Sequence, residues 1–300
     1  MMRAWSSARF TVPLPEGHRF PIAKYGLVRD AIVRRGLLPP EAIEEPDAAT
    51  AETVSLAHGA EYVDAVLAGT LTPEAIRRLG FPWSPGLRER SLRTVQGTVE
   101  AARDALASGA GLNLAGGTHH AFGDRGEGFC VFNDVAVAIR VLRREDLLGR
   151  AAIVDLDVHQ GNGTARIFAD DESVFTFSMH GEKNYPFHKE ASRLDVGLPD
   201  ACDDTAYLAA LQRHLGPALD RAAADLVCYL AGADPYRGDR FGRLGLSVEG
   251  LRERDRMVFA ACRSRGLPAV MTLAGGYAPD LTDVAAIHAN SVAELLAFLG

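Results

Sequence analysis

Cysteine is scarce in this 300-residue chain, which has four, Cys130, Cys202, Cys228 and Cys262, with no C-x-x-C pair among them. That scatter argues against a disulfide framework and a thiolate zinc site, and leaves reduced, structural thiols as the expectation. Long hydrophobic runs are missing too. No segment approaches the roughly 18 uncharged apolar residues of a membrane span, and the opening MMRAWSSARFTVPLPEGHRF has no signal-peptide-like apolar stretch. A cytoplasmic protein with no membrane partner is expected. Nor is there a lysine- or arginine-rich block: 39 acidic residues outnumber 32 basic ones, for a net charge of −7. This balance disfavours nucleic acid as a partner and favours cationic or neutral substrates. With no internal repeat and no low-complexity linker, residues 1–300 read as one domain.

What is there alternates between two kinds of segment. GLNLAGG (111–117), AAIVDLD (151–157), VFTFSMH (174–180), DLVCYLAGAD (225–234) and PAVMTLAGGY (268–277) are apolar on both alternating faces, as parallel strands covered on two sides must be. Between them lie helix-like stretches at 91–108, 133–145, 204–224 and 247–266, the last with Ser247 placed to cap it at Gly250. The alternation implies right-handed crossovers and an α/β, doubly wound, mostly parallel sheet. PPEAIEEPDAAT (39–50) and GFPWSPG (80–86) read as surface loops, and arginine-rich helix faces such as RERDR (252–256) as solvated.

In open α/β sheets, ligands bind beyond the carboxyl ends of the strands. The reactive-looking side chains collect there: His119 and His120 after the first of these strands, Asp155, Asp157 and His159 on the second, Asp234 after the fourth and Tyr277 after the fifth. In DLDVH an extended backbone projects residues 155, 157 and 159 to one face. Two carboxylates neutralise a divalent ion, and three protein ligands leave a fourth position for water, the arrangement of catalytic zinc. Asp234, in AGADPYRGD, is the candidate ligand from another strand end. Alone, D-x-D also suits two turn-capping aspartates; the tandem histidines suit packing, and Tyr277 on its glycine turn suits an ordinary turn. Their convergence on one sheet edge favours a reaction centre.

GGTHHA, GEGFCVFND, DLDVHQGNGT and GADPYRGDRFG, within a match running from PLPEGHRFP (13–21) to LAGGY (273–277), together resemble the zinc-dependent histone deacetylase family, most of all its class IV and bacterial class IV-like branch. The resemblance implies the arginase/deacetylase fold, with about eight strands. It makes Asp157, His159 and Asp234 the ligands of one Zn2+, His119 and His120 the tandem histidines and Tyr277 the tyrosine that polarises the carbonyl. Asp155 would hydrogen-bond His119 and line a structural K+ site with the Ser178 side chain and the carbonyls of Asp157, His159 and Met179. Phe129, Tyr185, Gly128, Gly275 and Gly276 would line the substrate tunnel. Asn162 stands where class I members have an aspartate, so His120 is expected to be less basic than in that class. No acidic rim residue of the kind that grips substrate backbone in other classes is identifiable.

The implied reaction is hydrolysis of an acyl amide by metal-activated water, with His120 as general base and then acid and Tyr277 as oxyanion donor. An acyl-lysine protein is the first expectation for substrate, with acetyl or longer chains; a small acylated amine, such as an acetylpolyamine, is the second. The short 70–90 segment lacks the long insertion usual in polyamine-specific members. A third alternative is an inert fold used for binding. The arginase branch, with two manganese ions, is disfavoured because Gly161 and Tyr236 stand where it has further aspartates. His18, His58, His180, His188, His214 and His288 are expected at the surface or in packing roles. Nothing in the sequence sets the oligomeric state.

Overall fold

The computed structural model describes residues 2–300. Eight strands form one sheet: β1 (Ala4–Trp5), β2 (Ile43–Glu44), β3 (Ala110–Asn113), β4 (Ala151–Asp155), β5 (Val174–Gly181), β6 (Leu194–Leu198), β7 (Leu226–Leu230) and β8 (Ala269–Thr272). Their order is β2-β1-β3-β8-β7-β4-β5-β6, and every pairing is parallel. The five predicted strands are its central members, and all their residues are buried. The other three escape pattern reading for physical reasons. β1 and β2 have two residues each, too few for any periodicity, and edge strand β6 turns alternate residues towards solvent. Because β2 lies in the 39–50 stretch, that segment is in part a sheet edge rather than a loop.

Successive strand residues point to opposite faces, and the apolar cores divide accordingly. Ala152, Val154, Val227 and Tyr229 join one core with the helices Lys24–Arg34, Asp204–Ala222, Val248–Arg263 and Leu281–Phe298. Ala151, Ile153, Leu226 and Cys228 join the other, with Pro85–Ser108 and Asp134–Arg144. The four cysteines are free and buried, as expected. No helix among the described residues is long and apolar enough to cross a membrane.

The helix Val248–Arg263 begins as predicted, with Ser247 Oγ accepting from Gly250 N at 2.9 Å. Its RERDR segment is solvated as expected at Arg252 and Arg256, but the structure corrects that reading at Arg254 and Asp255, which are fully buried. Their ion pair spans 2.7 Å, and Asp255 also accepts from the Tyr229 and Ser291 hydroxyls. Arg254 Nη1 donates to the carbonyls of Gly232 at 2.6 Å and Leu156 at 3.3 Å. Leu156 precedes Asp157, and Gly232 lies two residues before Asp234. A buried cation on a helix therefore ties together two strand ends that carry candidate ligands. Sequence pattern misses it because an arginine at helical spacing reads as surface unless its partner is known.

Replacing Arg254 with Met leaves the Asp255 carboxylate buried without its cation, and is expected to cost about 3–5 kcal/mol. Urea denaturation checks this, and a loss below about 1 kcal/mol, the level of a surface pair, would show that the pair is not structural.

Candidate active site

The loops leaving β3, β4, β7 and β8, which are neighbours in the sheet, meet at one edge. Asp157, His159 and Asp234 come together there, each offering a ligand atom within 4.8 Å of the others. His159 Nδ1 lies 2.9 Å from Asp157 Oδ1 and 3.2 Å from Asp234 Oδ2. Backbone amides hold the carboxylates: Asp157 Oδ1 accepts from His159 N at 2.9 Å, Asp157 Oδ2 from Gly275 N at 2.8 Å, and Asp234 Oδ1 from Val158 N at 2.9 Å. Asp234 Oδ2 is buried and has no hydrogen-bond partner. An orphaned anionic oxygen, a second carboxylate and an imidazole nitrogen with a common focus fit a divalent cation. Gly275 makes room for the cluster, since a Cβ there would lie 1.8 Å from Asp234 Oδ2.

The electrostatics point the same way. Burial pushes the Asp234 pKa up to about 7, and Asp157 adds to that rise. Burial also opposes charging His159, but Asp157 and Asp234 outweigh it and raise its pKa to about 10. Two desolvated carboxylates thus favour positive charge at the point where they converge.

The tandem histidines are buried side by side, with ring centroids 4.2 Å apart, but their partners differ. His119 Nδ1 donates to Asp155 Oδ2 at 2.7 Å. Burial opposes its imidazolium, yet Asp155 and Asp157 prevail and hold its pKa up at about 9. His120 Nδ1 donates to the carbonyl oxygen of Asn162 at 2.7 Å. Burial, then the neighbouring His119 and His159, drive the His120 pKa well below its ordinary value. Asn162 offers a dipole where a carboxylate would offer charge, so His120 stays neutral with its proton on Nδ1 and a free lone pair on Nε2. Gly128 lies against that ring: a Cβ at its φ of +55° would come 2.7 Å from His120 Cδ2.

Tyr277 closes the site on the other side. Burial raises its hydroxyl pKa well above the ordinary value, and Asp157 and Asp234 add to the effect, so the group stays a proton donor. Two supports for it are absent from the sequence expectations. Asp239 Oδ2 accepts from Tyr277 N at 2.6 Å, while its Oδ1 accepts from Phe241 N and Gly242 N, and the Phe241 ring packs edge-on to Tyr277 at 5.1 Å. Lys24, 1% exposed, donates to the Ala274 and Gly276 carbonyls at 3.1 and 3.4 Å and places its ammonium 5.1 Å from the Tyr277 ring centroid. Asp239 lies in the GADPYRGDRFG motif, whereas the carbonyls that the Lys24 ammonium binds are at positions 274 and 276, far along the chain, so Lys24 gives no local signal.

A cavity of about 400 Å³ opens outward from this floor, with Phe129, Tyr185 and Gly128 in its walls and His120, His159 and Tyr277 at its base. Tyr185 packs edge-on to His120 at 5.0 Å and donates its hydroxyl to Glu127. Gly275 lines the deep end with Asp157 and His159. Gly276 does not line the cavity as expected. A Cβ there would meet Val284 and Ala233, because its peptide turns back towards the core, where Lys24 binds its carbonyl. Asp155 and Ser178 are register partners on β4 and β5, but the Ser178 hydroxyl lies 3.0 Å from His180 Nδ1. His58, His180 and His288 are buried packing residues. His58 ties the loop after the tandem pair, with Nδ1 donating to Phe122 O and Nε2 accepting from Asn133 N, both at 2.9 Å. Tyr236, at one position where a second metal would need a ligand, is bonded instead to Asp283 at 3.0 Å.

A family model described as the Histone deacetylase domain matches residues 18–295. An uncharacterized protein of Picosynechococcus is 46% identical over 279 residues, which is 93% of each chain. Histone deacetylase 2 of Arabidopsis thaliana is 31% identical over 287 residues, 93% of this chain and 73% of the relative. Among solved structures, the HD domain of HDA15 is similar with a TM-score of 0.83 at 23% identity, over 98% of this chain and 91% of that one. That likeness is one of fold, the arginase/deacetylase arrangement expected from the sequence.

Metal removal tests the cluster without reference to activity. Zinc at 100 times its Kd is expected to raise the stability of chelator-treated protein by about 2.7 kcal/mol, read as a rise in Tm, and Asp234→Asn to abolish that rise. A Tm that zinc leaves unmoved would refute the site.

Proposed function

The chain belongs to the histone deacetylase family, and from that premise we propose that it is a zinc-dependent amidohydrolase that removes acyl groups from lysine side chains of proteins. The observation that carries the reading is the meeting of Asp157, His159 and Asp234 with neutral His120 and protonated Tyr277 at the floor of one aromatic-walled cavity. Family membership supports the deacetylase activity; the metal's identity and the lysine substrate are the further steps.

Asp157, His159 and Asp234 would hold the ion, which supplies Lewis acidity towards the amide carbonyl and lowers the pKa of a water. The remaining chemistry belongs to side chains. With Nδ1–H committed to Asn162, His120 presents Nε2 to take the water proton as the new C–O bond forms, and returns it to the amine nitrogen as the C–N bond breaks. The Tyr277 hydroxyl donates to the developing oxyanion, and Asp239 fixes the tyrosine's backbone. His119 keeps its own proton, donating Nδ1–H to the Asp155 carboxylate, and sets the field in which His120 works. Phe129 and Tyr185 flank the aliphatic stem and exclude water. A structural K+ near Asp155 and Ser178, with the carbonyls of Asp157, His159 and Met179, belongs to the same proposal, supported by the pairing of β4 with β5.

Tyr277→Phe is expected to lower kcat by roughly a hundredfold or more with KM little changed, the signature of an interaction made in the transition state; an unchanged kcat removes Tyr277 from the mechanism. Zinc-loaded protein assayed side by side on an acetyl-lysine peptide, a long-chain acyl-lysine peptide and an acetylated polyamine should show higher kcat/KM on a peptide. Preference for the polyamine would move the function to small-molecule amides.

A further inference from the structure

The chain carries a net charge of −7, yet the mouth of the substrate cavity has the opposite sign. Arg19, Lys183 and Arg243 line it, with no aspartate or glutamate among the lining residues. All three are exposed. Arg243 shares its charge with exposed Asp200 at 3.2 Å, while Arg19 and Lys183 form no salt bridge among the described residues. Phe187, 85% exposed, stands on the same rim beside the cations.

This placement is built into the loops. Asn184 is buried next to Lys183; its Nδ2 donates to Phe241 O at 2.7 Å, and its Oδ1 accepts from Arg243 N at 3.2 Å. One side chain thereby staples the loop after β5 to the 241–243 loop and keeps two like charges on one rim. Arg19 is held between two pinned neighbours. His18 Nε2 donates to Gly80 O at 2.9 Å while its Nδ1 accepts from Phe20 N at 3.1 Å, and the Phe20 ring packs 5.4 Å from Phe129 in the cavity wall.

We propose that this rim reads negative charge, so that the enzyme selects acyl-lysine sites with a carboxylate within one or two residues of the scissile lysine. The proposal rests on the lysine-deacylase reading and sharpens it. When the acyl-lysine stem fills the cavity, the flanking residues are left at the mouth, within a Debye length of about 10 Å of the rim cations. An acidic flank is drawn in there and a basic flank repelled. An acetylated polyamine, whose remaining amines are cationic, meets the same repulsion, so the rim also discriminates between the two substrate classes.

The experiment measures kcat/KM of the zinc-loaded full chain on three acetyl-lysine peptides that differ only in having Asp, Ala or Lys on both sides of the modified residue, at low and high salt. The Asp peptide is expected to exceed the Lys peptide by about tenfold at low salt, with the gap closing as salt screens it. In the double variant Arg19→Glu/Lys183→Glu the order of the Asp and Lys peptides should reverse, because the rim then presents the opposite charge to the same flanks. Equal rates on all three peptides would overturn the charge reading and leave the deacylase reading standing. Higher rates on the Lys peptide would do the same. No turnover of any peptide, the neutral one included, would overturn the deacylase reading and this proposal with it.

Discussion

Three carboxylates, Asp155, Asp157 and Asp234, are at most 3% exposed at one sheet edge, and the rest of the site is arranged around the cost of burying them. A buried ion without compensation costs several kcal/mol. The fold compensates with amide dipoles from Val158, His159 and Gly275, with His119 held protonated, and with a focus shaped for a cation. Each requirement constrains the backbone: β4, β7 and β8 must be neighbours, and residue 275 can carry no side chain.

Two further buried cations serve backbone oxygens rather than the reaction. Arg254 joins the carbonyls before two ligand positions from one side of the sheet. Lys24 joins those flanking Gly275 and lies under the Tyr277 ring. Both stiffen loops that must hold reactive groups in place. The contrast between His119 and His120 follows from the same economy of charge. One imidazole with a carboxylate partner is kept cationic, and its neighbour, given an amide partner and repelled by that cation, is kept neutral. Adjacent residues of one type thus acquire different proton affinities from what stands behind each ring.

The parts legible in the sequence are those in which one short segment carries both the strand signal and the reactive residue. DLDVH announces β4, its exit and two ligand candidates together, and the five doubly buried strands could be read because burial on both faces leaves a continuous apolar run. What escaped reading depended on distant partners. Arg254 and Asp255 sit in an ordinary charged helical stretch, and only distant partners, the carbonyls at 156 and 232 and the hydroxyls of Tyr229 and Ser291, show that this face is buried. Lys24 needs the 274–276 loop, and Asp239 needs the Tyr277 amide. Gly276 was misassigned because adjacent glycines look alike in sequence, while only Gly275 faces the carboxylates.

Net charge illustrates the same distinction between composition and placement. An excess of acidic residues pointed to cationic or neutral substrates, but the summed charge is spread over the whole surface, and screening limits any substrate to what lies within about 10 Å of it. At the cavity mouth that neighbourhood contains Arg19, Lys183 and Arg243. The floor and the rim therefore answer to different parts of the chain: strand ends, fixed by sheet order and glycine clearance, set the reaction, while loops stapled by Asn184 and His18 set which charged chain can approach it. Substitutions on those loops can retune substrate choice without disturbing the buried carboxylates, because the charges at the rim act through solvent and those at the floor through direct hydrogen bonds.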